Sequence, residues 1–160
     1  MLALLEKTRM INKMLQNAES VSYKKMAEVL RDVIKSNIYI VSSKGALLGY
    51  SILDGFECEL MIKKVLDVGY FPKNYVKWLE GIRETSSNYR LVKNMCAFAD
   101  ETKCLFENKF TTVVPIFGNG ERLGTLILGK FKKEFVDSDL LLGEYAATVI
   151  GMQMLHDKAL

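Results

Sequence analysis

The stretch of sequence that decides the fold is FTTVVPIFGNGERLGTLIL, residues 110–128. Two runs rich in β-branched and apolar residues, 110–116 and 123–128, flank the turn Gly118-Asn119-Gly120. Adjacent Asn and Gly favour a two-residue β-hairpin turn, because both residues tolerate the positive φ angles that this turn requires. The stretch therefore predicts two adjacent antiparallel strands.

The same glycines, Gly118, Gly120 and Gly124, also suggest a phosphate-binding loop, since backbone N–H groups can approach an anion closely there. Such a loop leads into a helix, however, and here an apolar strand follows with no Lys-Ser or Lys-Thr pair. We therefore favour the hairpin. Pro115 has no N–H to donate to a strand ladder, so we expect it at a bulge or an open edge.

Helices and further strands are predicted on both sides of this hairpin from the spacing of apolar residues and from turn and cap residues. In chain order we expect a helix over 4–15, a helix after the N-cap Ser22, strands over 37–41 and 46–52 joined by a turn at 44–45, a helix around 60–66, a helix beginning at Pro72, a polar loop over 85–88, a strand near 95–98, the hairpin strands, and a final helix from Asp137 or Ser138. This order predicts an α+β fold, an antiparallel sheet of about five strands with helices on its faces.

Composition restricts the functional classes. The chain has 160 residues, of which 49% are hydrophobic, and a formal net charge of +3. The length fits one domain, and the charge is too small for a surface that holds DNA by itself. Cys58, Cys96 and Cys104 form no C-x-x-C pair, and no signal peptide or long apolar run is present. We therefore expect a soluble, cytoplasmic protein without a metal site.

Catalytic chemistry finds little support in the sequence. The chain has a single histidine, His156, and no paired acid and base or nucleophile constellation accompanies it. We therefore predict that the protein is not an enzyme. The final helix carries small residues at Gly143, Ala147 and Gly151. Glycine inside a helix has a stability cost, so we expect a backbone packed closely on this stripe, either the first helix or a partner subunit.

A candidate binding site is suggested by residues 61–66 and 71–75, which carry branched and aromatic side chains on two adjoining predicted helices. Such side chains line small apolar pockets. Packing of the same residues on the sheet explains the spacing more simply than a pocket does, and both interpretations stay open at this point.

Longer strings carry a family resemblance. Residues 111–128 are similar to the closing strands of a GAF domain, a fold used for sensing small molecules. Together with residues 4–9, 31–34, 84–88, 120–125 and 143–152 they make nearly the whole chain resemble the N-terminal part of the CodY family of nutrient-sensing global transcriptional repressors.

This resemblance implies a GAF effector-binding domain over residues 1–136 and the start of a connecting helix over 137–160. It also implies a winged helix-turn-helix domain, absent from this chain, through which a homodimer binds operator DNA. The effector is expected to be a branched-chain amino acid, isoleucine first, with valine or leucine as alternatives. A dimerisation scaffold that has lost or changed its ligand is the alternative function.

The family's amino-acid pocket, carried over position by position, comprises Met61, Ile62, Val65, Phe71, Pro72, Tyr75, Cys96 and Phe98. Met61 stands where the family usually has an arginine that pairs with the ligand carboxylate, and Cys96 where a threonine is common.

The family also responds to GTP as a co-effector. The matching nucleotide-binding positions are Ser42, Ser43, Lys44 and Lys158. Gln153 stands where the family has an acidic residue able to accept from the guanine N–H groups.

Overall fold

Residues 3–16, 22–55, 65–89 and 109–159 are described by the computed structural model. Within these ranges the chain forms, in order, α1 (Leu4–Asn12, extended by a 3-10 turn at Lys13–Leu15), α2 (Tyr23–Ile34), β1 (Asn37–Ser42), β2 (Leu47–Ser51), α3 (Lys73–Glu80), β3 (Ser86–Tyr89), β4 (Lys109–Gly118), β5 (Glu121–Phe131) and α4 (Asp137–Ala159). None of these helices combines the length and the apolar character that a bilayer span requires.

The hairpin predicted from residues 110–128 is confirmed. β4 and β5 pair from Lys109 opposite Phe131 to Gly118 opposite Glu121, with one register shift between Ile116 and Phe117. Asn119 and Gly120 have φ angles of 53° and 77°, the positive values that a two-residue hairpin turn of this type needs. Gly120 therefore serves the turn, whereas Gly118 and Gly124 lie in the two strands.

The five strands form one antiparallel sheet in the order β2-β1-β5-β4-β3. β1, which comes early in the chain, lies beside β5, which comes late, so the two halves of the chain meet in the centre of the sheet. The predicted α+β class, with about five antiparallel strands and helices on the faces, is confirmed.

Each face of the sheet is covered by a different set of residues, because successive side chains of a strand point to opposite faces. Even-numbered strand residues such as Ile38, Ile40, Leu126 and Leu128 belong to the larger core cluster with α1, α2 and α4. Odd-numbered residues belong to a smaller cluster on the other face. We call that smaller group the second cluster: Tyr39, Val41, Val65, Phe71, Tyr75, Leu79, Val113 and Ile127.

Local signals set most helix boundaries as predicted. The Ser22 Oγ accepts a hydrogen bond from the Lys25 N–H at 3.1 Å and caps α2. Pro72 is the residue before the first turn of α3, where its missing N–H leaves no helical hydrogen bond unmade. The helix ends at Glu80.

The predicted polar loop over residues 85–88 is wrong, because Ser86–Tyr89 forms the edge strand β3. Ser86 pairs with Val113 and Tyr89 with Thr111. Serine and asparagine have weak strand propensity, and pairing with the free side of β4 overrides it.

The expectation for Pro115 is confirmed. The first residue of β3, Ser86, pairs with Val113. In the described part of the chain Pro115 therefore lies past the β3 pairing, on an open edge of β4. A bulge follows between Ile116 and Phe117. Most of the helix expected over residues 60–66, the strand expected near 95–98 and all three cysteines lie outside the described residues.

The small-residue stripe of α4 faces the hairpin. A Cβ added at Gly151 would lie 2.6 Å from the Phe117 carbonyl oxygen, and one added at Gly143 would lie 3.2 Å from Leu128 Cδ1. The predicted close approach of another backbone to the stripe is thus confirmed. The prediction that this backbone is the first helix or a partner subunit is wrong. The backbone that comes close to the stripe is that of β4, because α4 lies along this strand.

We predict that Gly151→Leu destabilises the fold by about 1–3 kcal/mol, since the new side chain would overlap the backbone of β4. Urea unfolding of the chain measures this, with Met152→Leu as the matched control because Met152 is 57% exposed. Equal unfolding midpoints for the two variants would show that α4 does not pack on β4 in this way.

Candidate functional site

The second cluster brings together three of the residues that the sequence assigned to an amino-acid pocket. Val65, Phe71 and Tyr75 are 0%, 6% and 6% exposed. They pack with Tyr39 and Ile127 of the sheet, because α3 and the segment before it cross the sheet face opposite α1 and α2. The described part of the predicted helix pair therefore packs on the sheet, and most of the first helix lies outside the described residues.

Aromatic rings give the second cluster its shape. The rings of Tyr39 and Phe71 meet edge to face with centroids 6.3 Å apart. Phe71 and Tyr75 stack at 5.5 Å, and Tyr75 and Trp78 are tilted at 5.4 Å. These rings form a continuous row from β1 to α3. Edge-to-face and offset-stacked arrangements are the ones that the quadrupoles of aromatic rings favour.

Backbone hydrogen bonds attach this row to the turn between β1 and β2. The Phe71 N–H donates to the Gly45 carbonyl at 2.9 Å, and the Leu47 N–H donates to the Gly69 carbonyl at 2.8 Å. Gly45 has a φ of +89° and packs beneath Val76 of α3, where a side chain would overlap. The position of Phe71 is therefore set by the turn that carries Ser42 to Lys44.

The remaining predicted pocket residues divide into two groups. Pro72 is half-buried at the start of α3. The positions outside the described residues are Met61, Ile62, Cys96 and Phe98. The structure thus brings three of the eight predicted residues into one cluster and places Pro72 next to them.

Arg122 was not predicted from the sequence, yet it binds the end of α3 that lies nearest the hairpin. Its Nη2 donates to the Leu79 carbonyl and to Thr125 Oγ1, both at 2.9 Å, and its Nε donates to the Ile82 carbonyl at 3.2 Å. Burial and the neighbouring Arg83 charge lower the pKa of this guanidinium. A charged residue beside a turn gives no signal of this role, because the two carbonyls that it binds lie 40 and 43 positions earlier in the chain.

The predicted nucleotide residues lie at one end of the sheet. Ser42 Oγ accepts from the Ala46 N–H at 3.0 Å and stabilises the β1–β2 turn, while Ser43 and Lys44 are exposed. The Ser43 N–H donates to the Leu123 carbonyl of the hairpin at 3.0 Å. Lys158 near the end of α4 contacts both carboxylate oxygens of Glu121, at 3.1 and 3.0 Å. The turn and the end of α4 thus contact the same hairpin.

Gln153 is buried beside an acidic residue. Its Nε2 donates to Asp157 Oδ1 at 2.9 Å, and the Tyr23 hydroxyl donates to Asp157 Oδ2 at 2.5 Å. Burial raises the pKa of Tyr23 above its ordinary value, and the hydrogen bond to Asp157 and its charge act in the same direction. The carboxylate of Asp157 therefore lies beside Gln153, the position at which the resemblance implies an acidic residue.

A cleft of about 340 Å³ lies elsewhere, between the open edge of β4 and α4. None of the predicted site residues lines it. Its lining residues are Arg83, Glu84, Thr85, Val114, Pro115, Phe117, Glu144, Ala147 and Thr148. Arg83 lies over the Phe117 ring at 5.1 Å from its centroid. In the described ranges, no three His, Cys, Asp or Glu side chains come together as a metal site requires.

Comparison with known proteins shows what this chain is similar to. Residues 3–160 match the family described as the CodY GAF-like domain. The global transcriptional regulator CodY of Bacillus licheniformis is 54% identical over 160 residues, which cover 99% of this chain and 61% of that protein. The chain thus spans about 61% of the length of this curated relative. The relative is named as a transcriptional regulator and not as an enzyme, in agreement with the sequence prediction.

Solved structures agree with this match. The cofactor-binding GAF domain of the nutrient sensor CodY from Clostridium difficile is 38% identical, with a TM-score of 0.69, over 95% of this chain and 98% of that one. The GAF domain of a phosphoenolpyruvate-protein phosphotransferase from Acinetobacter is 15% identical with a TM-score of 0.67, over 99% of this chain and 98% of that one. This second likeness shows the fold alone.

We predict that Phe71→Ala costs about 3–5 kcal/mol of folding stability, because it removes a ring packed between two others. The neighbouring Tyr70 is 56% exposed, so Tyr70→Ala is the matched control and should change stability by no more than about 0.5 kcal/mol. Chemical denaturation of both variants tests this. Similar losses for both would show that Phe71 is not part of a packed cluster.

Proposed function

The chain belongs to the CodY GAF-like domain family, and on that premise we propose that it is the effector-binding domain of a transcriptional repressor. The effector is a branched-chain amino acid, isoleucine first, bound against the second cluster. The observation that carries this proposal is the grouping of Val65, Phe71 and Tyr75 with Tyr39 on one face of the sheet. The Clostridium difficile relative is described as a cofactor-binding domain of a nutrient sensor, which supports it.

The chemistry of the second cluster suits a branched aliphatic side chain. Its members are aliphatic and aromatic, and each ligand methylene buried among such groups contributes about 0.8 kcal/mol. The ligand carboxylate needs N–H donors, and Met61 supplies none. Backbone N–H groups or a nearby lysine or arginine therefore take the place of the family's arginine.

For the nucleotide we propose the end of the sheet where the β1–β2 turn and α4 meet the hairpin. Ser43, Lys44 and Lys158 provide exposed donors suited to phosphate. Asp157, beside Gln153, provides a carboxylate for the guanine N–H groups. GTP is the nucleotide that this combination of donors and acceptor fits.

Family membership supports a proposal for the rest of the protein. We propose that residues 1–136 form the effector domain and that 137–160 begin a helix leading to a winged helix-turn-helix domain. The protein would act as a homodimer on operator DNA in the cytoplasm. Met61 in place of arginine favours one alternative, a dimerisation scaffold that has lost or changed its ligand.

We predict that isoleucine binds the chain, that valine binds several-fold more weakly because it lacks one methylene, and that alanine binds hardly at all. Calorimetric titration of the three amino acids measures this order. Phe71→Ala should abolish the heat of isoleucine binding.

Met61→Arg serves as the second arm of that titration. Restoring a guanidinium should leave isoleucine binding unchanged or strengthen it, because a charge-assisted hydrogen bond to a carboxylate contributes about 1.5–3 kcal/mol. If neither the native chain nor Met61→Arg shows heat at millimolar isoleucine, the scaffold alternative replaces the sensor.

A separate prediction concerns the nucleotide. Gln153→Glu places a second carboxylate beside Asp157, so the melting temperature should fall without ligand. GTP should restore it more than ATP does, because guanine offers two N–H donors to the new carboxylate. Gln16→Glu, at an exposed position, is the control and should respond to neither nucleotide. Equal recovery by GTP and ATP would exclude guanine recognition at this position.

A further inference from the structure

We infer that Glu121 and Arg122, adjacent residues of the β4–β5 hairpin, form a clasp that couples α3 to the C-terminal end of α4. The inference rests on the proposed function in one respect, since α3 matters for regulation only if its Tyr75 contacts an effector. The clasp itself is a feature of the fold and can be tested without ligand.

The Arg122 half of the clasp holds α3. The guanidinium donates to the Leu79 carbonyl in the last turn of α3, to the Ile82 carbonyl just after the helix, and to Thr125 of its own strand. A planar guanidinium can make all three bonds at once from one position, whereas a lysine ammonium is a point donor on a flexible stem. The bonds therefore fix the end of α3 relative to β5.

The Glu121 half holds α4. Both carboxylate oxygens bind Lys158 Nζ. Around this pair the hairpin backbone packs directly on the last turns of the helix. A Cβ added at Gly118 would lie 2.7 Å from Leu155 Cδ1, and one added at Gly124 would lie 3.2 Å from Met154 Cε. The last turns of α4 therefore rest on the hairpin.

Glu121 and Arg122 are consecutive residues. A displacement of α3 that moves Arg122 therefore also moves Glu121, the partner of Lys158. The Glu121–Lys158 pair is exposed, with side chains 57% and 61% accessible, and exposed ion pairs contribute little to stability. This pair can therefore form and break with small shifts of the hairpin without unfolding the domain. An effector that orders α3 would in this way change the end of α4.

The test is amide hydrogen exchange of the ligand-free chain. Arg122→Lys should raise exchange several-fold at the last turn of α3 and also at residues 153–159, with α2 unchanged. The matched control is Arg31→Lys, because Arg31 is another partly buried arginine, bonded to Ser51 at 2.9 Å on the opposite face. An increase confined to α3 would overturn the clasp and leave Arg122 as a local helix cap.

Glu121→Gln gives the reciprocal measurement on a variant that keeps its fold, because the substituted side chain is exposed. Exchange should rise at 153–159 and at the last turn of α3, while Glu28→Gln, which breaks the exposed pair with Lys25, should change neither. An unchanged α3 in Glu121→Gln would contradict the coupling even if Arg122→Lys failed to fold.

Hydrogen exchange with bound isoleucine then tests the clasp and the proposed function separately. In the native chain saturating isoleucine should protect residues 153–159, and in Glu121→Gln it should bind with unchanged affinity but give no such protection. Absence of isoleucine binding would refute the proposed effector, and the ligand-free exchange would still decide the clasp. Equal protection in both proteins would show that α4 responds by another route.

Discussion

The three central strands, β1, β4 and β5, are buried on both faces over most of their length, and this is the constraint on which the rest of the structure depends. Ile38 and Ile40 alternate with Tyr39 and Val41 along β1, and all four are under 5% exposed. A strand whose side chains are buried on both faces needs helices or other segments packed on both faces of the sheet. The chain does this with α1, α2 and α4 on one face, and with α3 and the segment before it on the other.

The clusters on the two faces of the sheet differ in size and composition, and this difference suits different roles. The larger core cluster is built from long helices and closes over the sheet. The second cluster has few members, one short helix and a row of aromatic rings. Ligand-binding regions are drawn from the less stable parts of a structure. An effector that packs against the second cluster can therefore change α3 without opening the main core.

The sequence predicts features that depend on neighbouring residues and misses those that depend on distant ones. The Asn119-Gly120 turn and the Ser22 cap were predicted because their hydrogen bonds and φ angles are local. β3 was missed because its strand state comes from pairing with β4. The role of Arg122 was missed for the same reason, since it binds carbonyls on another element. The glycine stripe of α4 indicated a close neighbour, but the spacing carried no information about which one.

The most direct measurement of the central claim, that the sheet divides a stabilising face from an effector face, is a methyl NMR titration of the chain with isoleucine. We expect the methyl signals of Val41, Val113 and Ile127 to shift with saturable binding, while those of Ile40, Leu126 and Leu128 do not shift. Equal shifts of both sets, or shifts confined to Ile40, Leu126 and Leu128, would contradict it.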